Sequence, residues 1–301
     1  MSTELRVGMV GLDTSHCEAF AKILHDEAYE YHLPGARIVG IYPGGSAQFS
    51  KSQSRVQGFT ETLNGVYGAK VYDNIATLAA EVDVLFLESV DGRQHREQFA
   101  QLAVGKPVFI DKPFATTTAD ARAIIERAEA TQTPIMSCSS LRYAAGIADL
   151  IGTNETVLTA ESFGPALLLE DFPGLFWYVI HSAEILTMLM GSGCQRVQCV
   201  ERADQDVVIG EWQDGRLGLL RGTRVGAGQF GAVAHTDSAV KATVAHAAPP
   251  SYYLMLRQVL PFMQSGISPI PIAETYEITA FLAAAEESRA QGGAIVTLEA
   301  L

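Results

Sequence analysis

The chain has 301 residues, of which 48% are apolar and 18% charged, enough for an ordered globular protein of two domains with a sizeable core. Its formal charge of -13 argues against nucleic-acid binding, which needs a basic face, and no apolar run is long enough to span a bilayer. Cys17, Cys138, Cys194 and Cys199 lie in or beside apolar segments without C-x-x-C spacing and read as buried free thiols. With no long apolar leader before the first glycine turn, the expected location is the cytoplasm.

In chain order, Leu5 to Val10 predicts a strand, and Cys17 to Leu24 a helix with Phe20, Ile23 and Leu24 at helical spacing. Between them, Gly11-Leu12-Asp13-Thr14-Ser15-His16 stands where a dinucleotide-binding fold has G-x-G-x-x-G. Only the first glycine is present. Ser15 and Glu18 predict a capping box, and Asp13 could occupy the electropositive helix end that a pyrophosphate would take. The second strand, Arg37 to Tyr42, ends in Tyr42-Pro43-Gly44-Gly45-Ser46, without the acidic residue that holds the ribose of NAD. Ser46, Lys51 and Arg55 downstream tilt any dinucleotide slightly toward NADP. Lys70 to Tyr72 predicts a third strand and Asn74 to Ala80 a helix.

The most informative stretch follows. Val84 to Leu87 reads as a strand, Gln94 to Val104 as a helix and Val108 to Ile110 as a strand: one βαβ crossover, hence a parallel sheet. Asp111-Lys112-Pro113 then places a lysine at the carboxyl end of a parallel strand, where open α/β sheets bind ligands, and Pro113 ends the pairing. Gly105-Lys106, Val108 and Asp111-Lys112-Pro113 resemble the GK-x-V-x-x-(E/D)KP signature of the Gfo/Idh/MocA family, the glucose-fructose oxidoreductase and inositol dehydrogenase group. The loop Glu88 to His95 has Asp91-Gly92 where the family commonly has Pro-Asn, but keeps His95.

After Pro113, Ala121 to Ala130 predicts a helix and Pro134 to Ser137 a strand leading to Arg142, where family members often carry an arginine near the cofactor and substrate mouth. From about Thr156 the pattern changes to strands. Pro173 to His181 precedes a helix over Ser182 to Met190, stopped by Gly191. By resemblance His181 is the histidine that faces the nicotinamide; Trp177 stands where many relatives have an aspartate. Gln195 to Glu201, Val207 to Trp212, Gly218 to Thr223, Gln229 to His235 and Ala239 to Ala245 predict strands of an open, mainly antiparallel sheet. Helices over Tyr252 to Met263 and Ile272 to Arg289 and a strand over Ala294 to Leu298 complete the chain.

The resemblance implies an α/β protein with a Rossmann-type doubly wound domain over residues 1–145 and a C-terminal α+β domain over 146–301, ending in a helix and strand near 272–298. It implies hydride transfer between NAD or NADP and a sugar, cyclitol or related polyol, with Lys112 and His181 catalytic. Gly11, Asp13, Thr14, Ser15, His16, Ser46, Ser89, Asp91, His95, Asp111 and Lys112 are then the cofactor contacts. Arg142, Trp177, Tyr178 and His181 are the substrate contacts, and no metal is required. The expected partners are a small-molecule substrate and a second copy of the chain through the C-terminal sheet. Two alternatives remain: lysis or hydrolysis of a glycoside with a recycled cofactor, and a metal or non-catalytic ligand site made of Asp13, His16, Asp91 and His95.

Overall fold

The computed structural model describes residues 4–301. Two compact units emerge from the packing: one holds residues up to Ala115 with Ala119–Cys138 and Tyr252–Ile272; the other holds Thr116–Thr118, Ser139–Ser251 and Ala273–Leu301.

In the first unit β1 (Leu5–Val10), α1 (His16–His25), β2 (Ala36–Tyr42), α2 (Ser50–Gly65), β3 (Lys70–Val71), α3 (Ile75–Glu81), β4 (Val84–Leu87), α4 (His95–Leu102), β5 (Val108–Asp111), α5 (Thr118–Ala130) and β6 (Ile135–Cys138) follow one another. The six strands are parallel, in the order β3-β2-β1-β4-β5-β6. This is the doubly wound order whose switch point lies between β1 and β4. Strands β4 and β5 are buried along their whole length, which explains why they read as continuous apolar runs rather than alternating ones. Asn74 caps α3 as its sequence suggests, its side chain accepting from the Thr77 N–H at 2.9 Å.

Helix α2 was not legible as a helix. Its sixteen residues bury only Ser52 and Leu63, so they lack the apolar stripe by which amphipathic helices are recognised. The predicted capping box at Ser15 and Glu18 also fails: Ser15 is the N-cap residue of α1, but its side chain makes no capping bond.

The second unit begins with β7 (Val157–Pro165) and α6 (Val179–Met190), then β8 (Cys194–Glu201), β9 (Gln205–Trp212), β10 (Leu217–Thr223), β11 (Gly231–Thr236) and β12 (Val240–Val244). Next in the chain comes α7 (Ser251–Ser265), which from Tyr252 onward packs with the first unit although the sequence placed it in the C-terminal domain. There the Tyr252 ring meets His16 and Phe20 at 4.7 and 5.8 Å, a tertiary contact with no periodic trace. Helix α8 (Ile272–Ala290) and β13 (Val296–Thr297) close the second unit. Its sheet runs β12-β11-β7-β10-β9-β8-β13, antiparallel except that β10 pairs with β7 in parallel. Helix α6 covers one face, packing on β7, β10 and β11. The opposite face carries Phe163, Val200, Val207, Ile209, Leu219 and Val233, which share it by register and remain at least partly exposed.

Candidate active site

At the carboxyl edge of the first sheet, the β1 loop is folded tightly against its neighbours. Gly11 has φ of 87°, and a Cβ there would stand 2.2 Å from Ser89 Oγ and 2.4 Å from the Ser89 nitrogen; only glycine allows this approach. The Gly11 and Leu12 N–H groups donate to the Tyr42 and Pro43 carbonyls at 3.0 and 2.7 Å.

Asp13 does not cap α1. Its carboxylate is turned inward, fully buried, with Oδ1 accepting from the Val90 N–H at 2.9 Å and Oδ2 from the Ser52 hydroxyl at 2.6 Å. Burial pushes this carboxyl above its ordinary value, against the pull of the Ser52 and Val90 bonds. Asp91 accepts from the Ser46 hydroxyl at 2.5 Å and from Arg93 Nε and Nη2 at 2.8 Å each. Burial would raise it, but the Arg93 and Ser46 bonds outweigh burial and hold it below the usual carboxylate range. His95 is a brace: Nδ1 lies 3.1 Å from the Phe114 carbonyl and Nε2 2.7 Å from that of Ser89.

His16 goes elsewhere. Its Nδ1 lies 2.8 Å from Asp111 Oδ2 and 3.7 Å from Glu88 Oε2, all three side chains being buried. Burial would lower the imidazole, yet Asp111 and Glu88 outweigh burial and hold it above its usual value. Burial, then repulsion from Asp111, push the Glu88 carboxyl up to about 7. Asp111, though burial would raise it, is held low by His16 and then Lys112. The alternative grouping of Asp13, His16, Asp91 and His95 as a metal or ligand site does not form: three of the four spend their polar atoms on protein partners, and His16 joins another acidic pair. Glu88 was missed, although a carboxylate at the end of an apolar parallel strand was a signal in plain view.

Lys112 follows Asp111 at the end of β5 and is 9% exposed. Thr14 is buried, and Ser15 is the exposed residue of the loop. Toward a pyrophosphate the loop offers the exposed Ser15 hydroxyl, which makes no capping bond, and the Asp13 carboxylate is withdrawn from that end; the His16 and Cys17 amides already donate to Thr14, at 3.4 and 3.2 Å. Ser46, by contrast, is buried with its hydroxyl given to Asp91, so it offers nothing to the extra phosphate of NADP.

In the second unit His181 sits in the first turn of α6, which starts at Val179, three residues earlier than predicted. Its Nδ1 lies 2.6 Å from Ser139 Oγ, and Ser139 also accepts from the Leu141 N–H at 3.1 Å. In the tautomer that donates Nδ1–H to Ser139, Nε2 is the basic nitrogen of the ring. The rings of Tyr178 and Phe230 lie 6.3 and 5.2 Å from the imidazole. Phe230 reaches this position because residue 164 is glycine: a Cβ there would come within 2.2 Å of the Phe230 ring. Trp177 is only 8% exposed and packs edge-on against Phe172. Arg142, expected as an anchor at the ligand mouth, is committed instead to Glu184 at 3.0 Å and to Glu274. Ser139, Glu184, Glu274 and Phe230 carried no sequence signal; each matters only through a partner distant in the chain.

Residues 5–138 match the profile of an oxidoreductase family with an NAD-binding Rossmann fold, Gfo/Idh/MocA. The match covers the N-terminal part of the chain. D-xylose 1-dehydrogenase (NADP(+)) from Hypocrea jecorina is 29% identical over 111 residues, a match covering 35% of this chain and only 28% of that enzyme. Among solved structures, GenD2 from gentamicin A biosynthesis, in complex with NAD, superposes with a TM-score of 0.78 at 17% identity, covering 100% of this chain and 98% of the other. The myo-inositol dehydrogenase from Lactobacillus casei, in complex with NAD(H) and myo-inositol, gives 0.77 at 16% identity over 99% and 98% of the two chains. At such identities these structures establish the fold. No described helix is long and apolar enough to cross a membrane.

Proposed function

We propose that this chain is an NAD(P)-dependent dehydrogenase or reductase acting on a hydroxyl- or keto-bearing carbon of a sugar, cyclitol or related polyol. The observation that carries the reading is the oriented imidazole of His181, in a chain whose first unit has the dinucleotide-binding strand order. Gly11, Thr14 and Ser15 would hold the pyrophosphate, the nicotinamide when bound supplying the hydride acceptor or donor. In the oxidative direction His181 Nε2 takes the hydroxyl proton, its ring orientation held by Ser139, and the Lys112 ammonium donates a hydrogen bond to the same oxygen as negative charge develops there. Reduction uses the same groups in reverse. The half-exposed apolar face of the second sheet supports self-association as the state in which the chain works.

Calorimetric titration with NAD, NADH, NADP and NADPH, followed by a polyol and keto-sugar screen at the nicotinamide absorbance, tests the reading. One dinucleotide should bind at micromolar concentration. Lys112→Ala and His181→Ala should each lower kcat by roughly 100-fold or more, with dinucleotide affinity little changed in His181→Ala. Turnover that survives both substitutions, or failure of all four dinucleotides to bind, would overturn it. A dinucleotide retained through purification, with product formed and no net absorbance change, would instead select the recycled-cofactor chemistry.

A further inference from the structure

His16, Glu88 and Asp111 converge from three separate elements: the start of α1, the residue after β4 and the last residue of β5. One ligand atom from each lies within 4.8 Å of the others. Glu88 is 0% exposed and Asp111 1%. Bringing two carboxylates into such a place costs several kcal/mol each unless they are paired and hydrogen-bonded. His16 Nδ1, Asp111 Oδ2 and both oxygens of Glu88 have no hydrogen-bond partner among the described residues, although the imidazole and Asp111 stand at ion-pair distance. The imidazole and Lys112 both offset the two carboxylates electrostatically.

We propose that these three side chains form a site for a divalent first-row transition ion of the zinc or manganese class. Such an ion would satisfy the orphaned Nδ1, Oε and Oδ atoms together. The separations of 2.8 and 3.7 Å bracket the roughly 3 Å edges of a coordination polyhedron with 2.0–2.2 Å bonds. One imidazole nitrogen with carboxylate oxygens suits zinc, manganese or ferrous iron rather than a soft ion. Three protein ligands leave a further coordination position for water. The ligands are held firmly: the Glu88 N–H donates to the Val10 carbonyl at 2.7 Å, Asp111 pairs with Cys138 in the sheet, and the Phe20 and Tyr252 rings flank the imidazole at 5.6 and 4.7 Å. The nearby Cys17 thiol is turned to the Gly11 carbonyl, 3.5 Å away.

The test is metal analysis of the full chain, produced without a histidine tag or metal resin, stripped with chelator and dialysed against zinc or manganese. One ion per chain should be retained. Glu88→Gln and Asp111→Asn should each weaken uptake by more than about 100-fold while Cys17→Ser leaves it unchanged. X-ray absorption at the edge of the retained metal should show a single imidazole with oxygen neighbours and no sulfur; it needs only the wild-type chain, so a variant that fails to fold does not stall the test. Failure of the stripped protein to take up either ion at millimolar concentration overturns the proposal, as does uptake that persists in both variants or a spectrum without imidazole. None of these readouts involves a dinucleotide, so failure of the oxidoreductase reading and failure of the metal site are separable.

Discussion

Arg142 shows how a residue can be conspicuous in sequence for one reason and indispensable for another. Its guanidinium donates to Glu184 at 3.0 Å and also holds Glu274. Burial would lower its affinity for a proton, but the two carboxylates outweigh burial and raise it. Burial likewise pushes Glu184 above the usual carboxylate range, with Arg142 opposing. Removing one member of a buried ion cluster leaves the others desolvated and unpaired. Arg142→Met should therefore destabilise the protein by about 3–5 kcal/mol in denaturant unfolding, whereas a loss under about 1 kcal/mol would assign it to the solvated class of ion pair. At this scale the sequence located Lys112 after β5 and His181 near the opening of α6. It was silent about Ser139 and Glu274, whose importance comes from partners 42 and 132 positions away.

At the scale of the element, α1 binds the first sheet through an unexpected histidine. His25 lies in the last turn, where a protonated side chain would favour the helix dipole. Instead, its Nε2 accepts from the Ile38 N–H at 2.9 Å, and its Nδ1 lies 3.2 Å from Arg37 Nη2. Burial first, then repulsion from Arg37 and His32, push its pKa down to about 4. The folded state thus prefers the neutral ring. This contribution is fully present above the ordinary value near 6.5 and is lost as pH falls through about 4. Because the ring is partly solvent-exposed, its size is on the order of 1–2 kcal/mol. Thermal unfolding from pH 7.5 to 4 should show Tm falling over this window, with a shallower fall in His25→Gln. Identical slopes would mean that other groups set the acid limb. Most elements were legible because their apolar residues repeat at 2 or 3.6; α2 was not, because a helix with two buried residues presents no period to read.

Across the whole molecule, the second sheet has one face covered by α6 and another bearing Phe163, Val200, Val207, Ile209, Leu219 and Val233. Arg221 and Glu161 pair on that face at 2.9 Å, giving it a polar feature among apolar ones. If this face joins a second copy, sedimentation or light scattering at micromolar protein should show a dimer or larger assembly. Leu219→Asp with Ile209→Lys should shift it to monomer while far-ultraviolet dichroism stays unchanged. A wild-type monomer at that concentration would sink the expectation.

The sequence by itself determined the parallel crossover, the strand-rich second half and the lysine at the end of β5, because these depend on local periodicity and on a motif contiguous in the chain. Tertiary structure alone decided where α7 packs, that Asp13 turns inward to Ser52 and Val90, and that His16 meets Glu88 and Asp111 rather than Asp91 and His95. The physical reason is the same in each case. A side chain's electrostatic and hydrogen-bonding partners are chosen by three-dimensional proximity, and a residue that ends a strand or opens a helix can face several of them until the sheet order places one within reach.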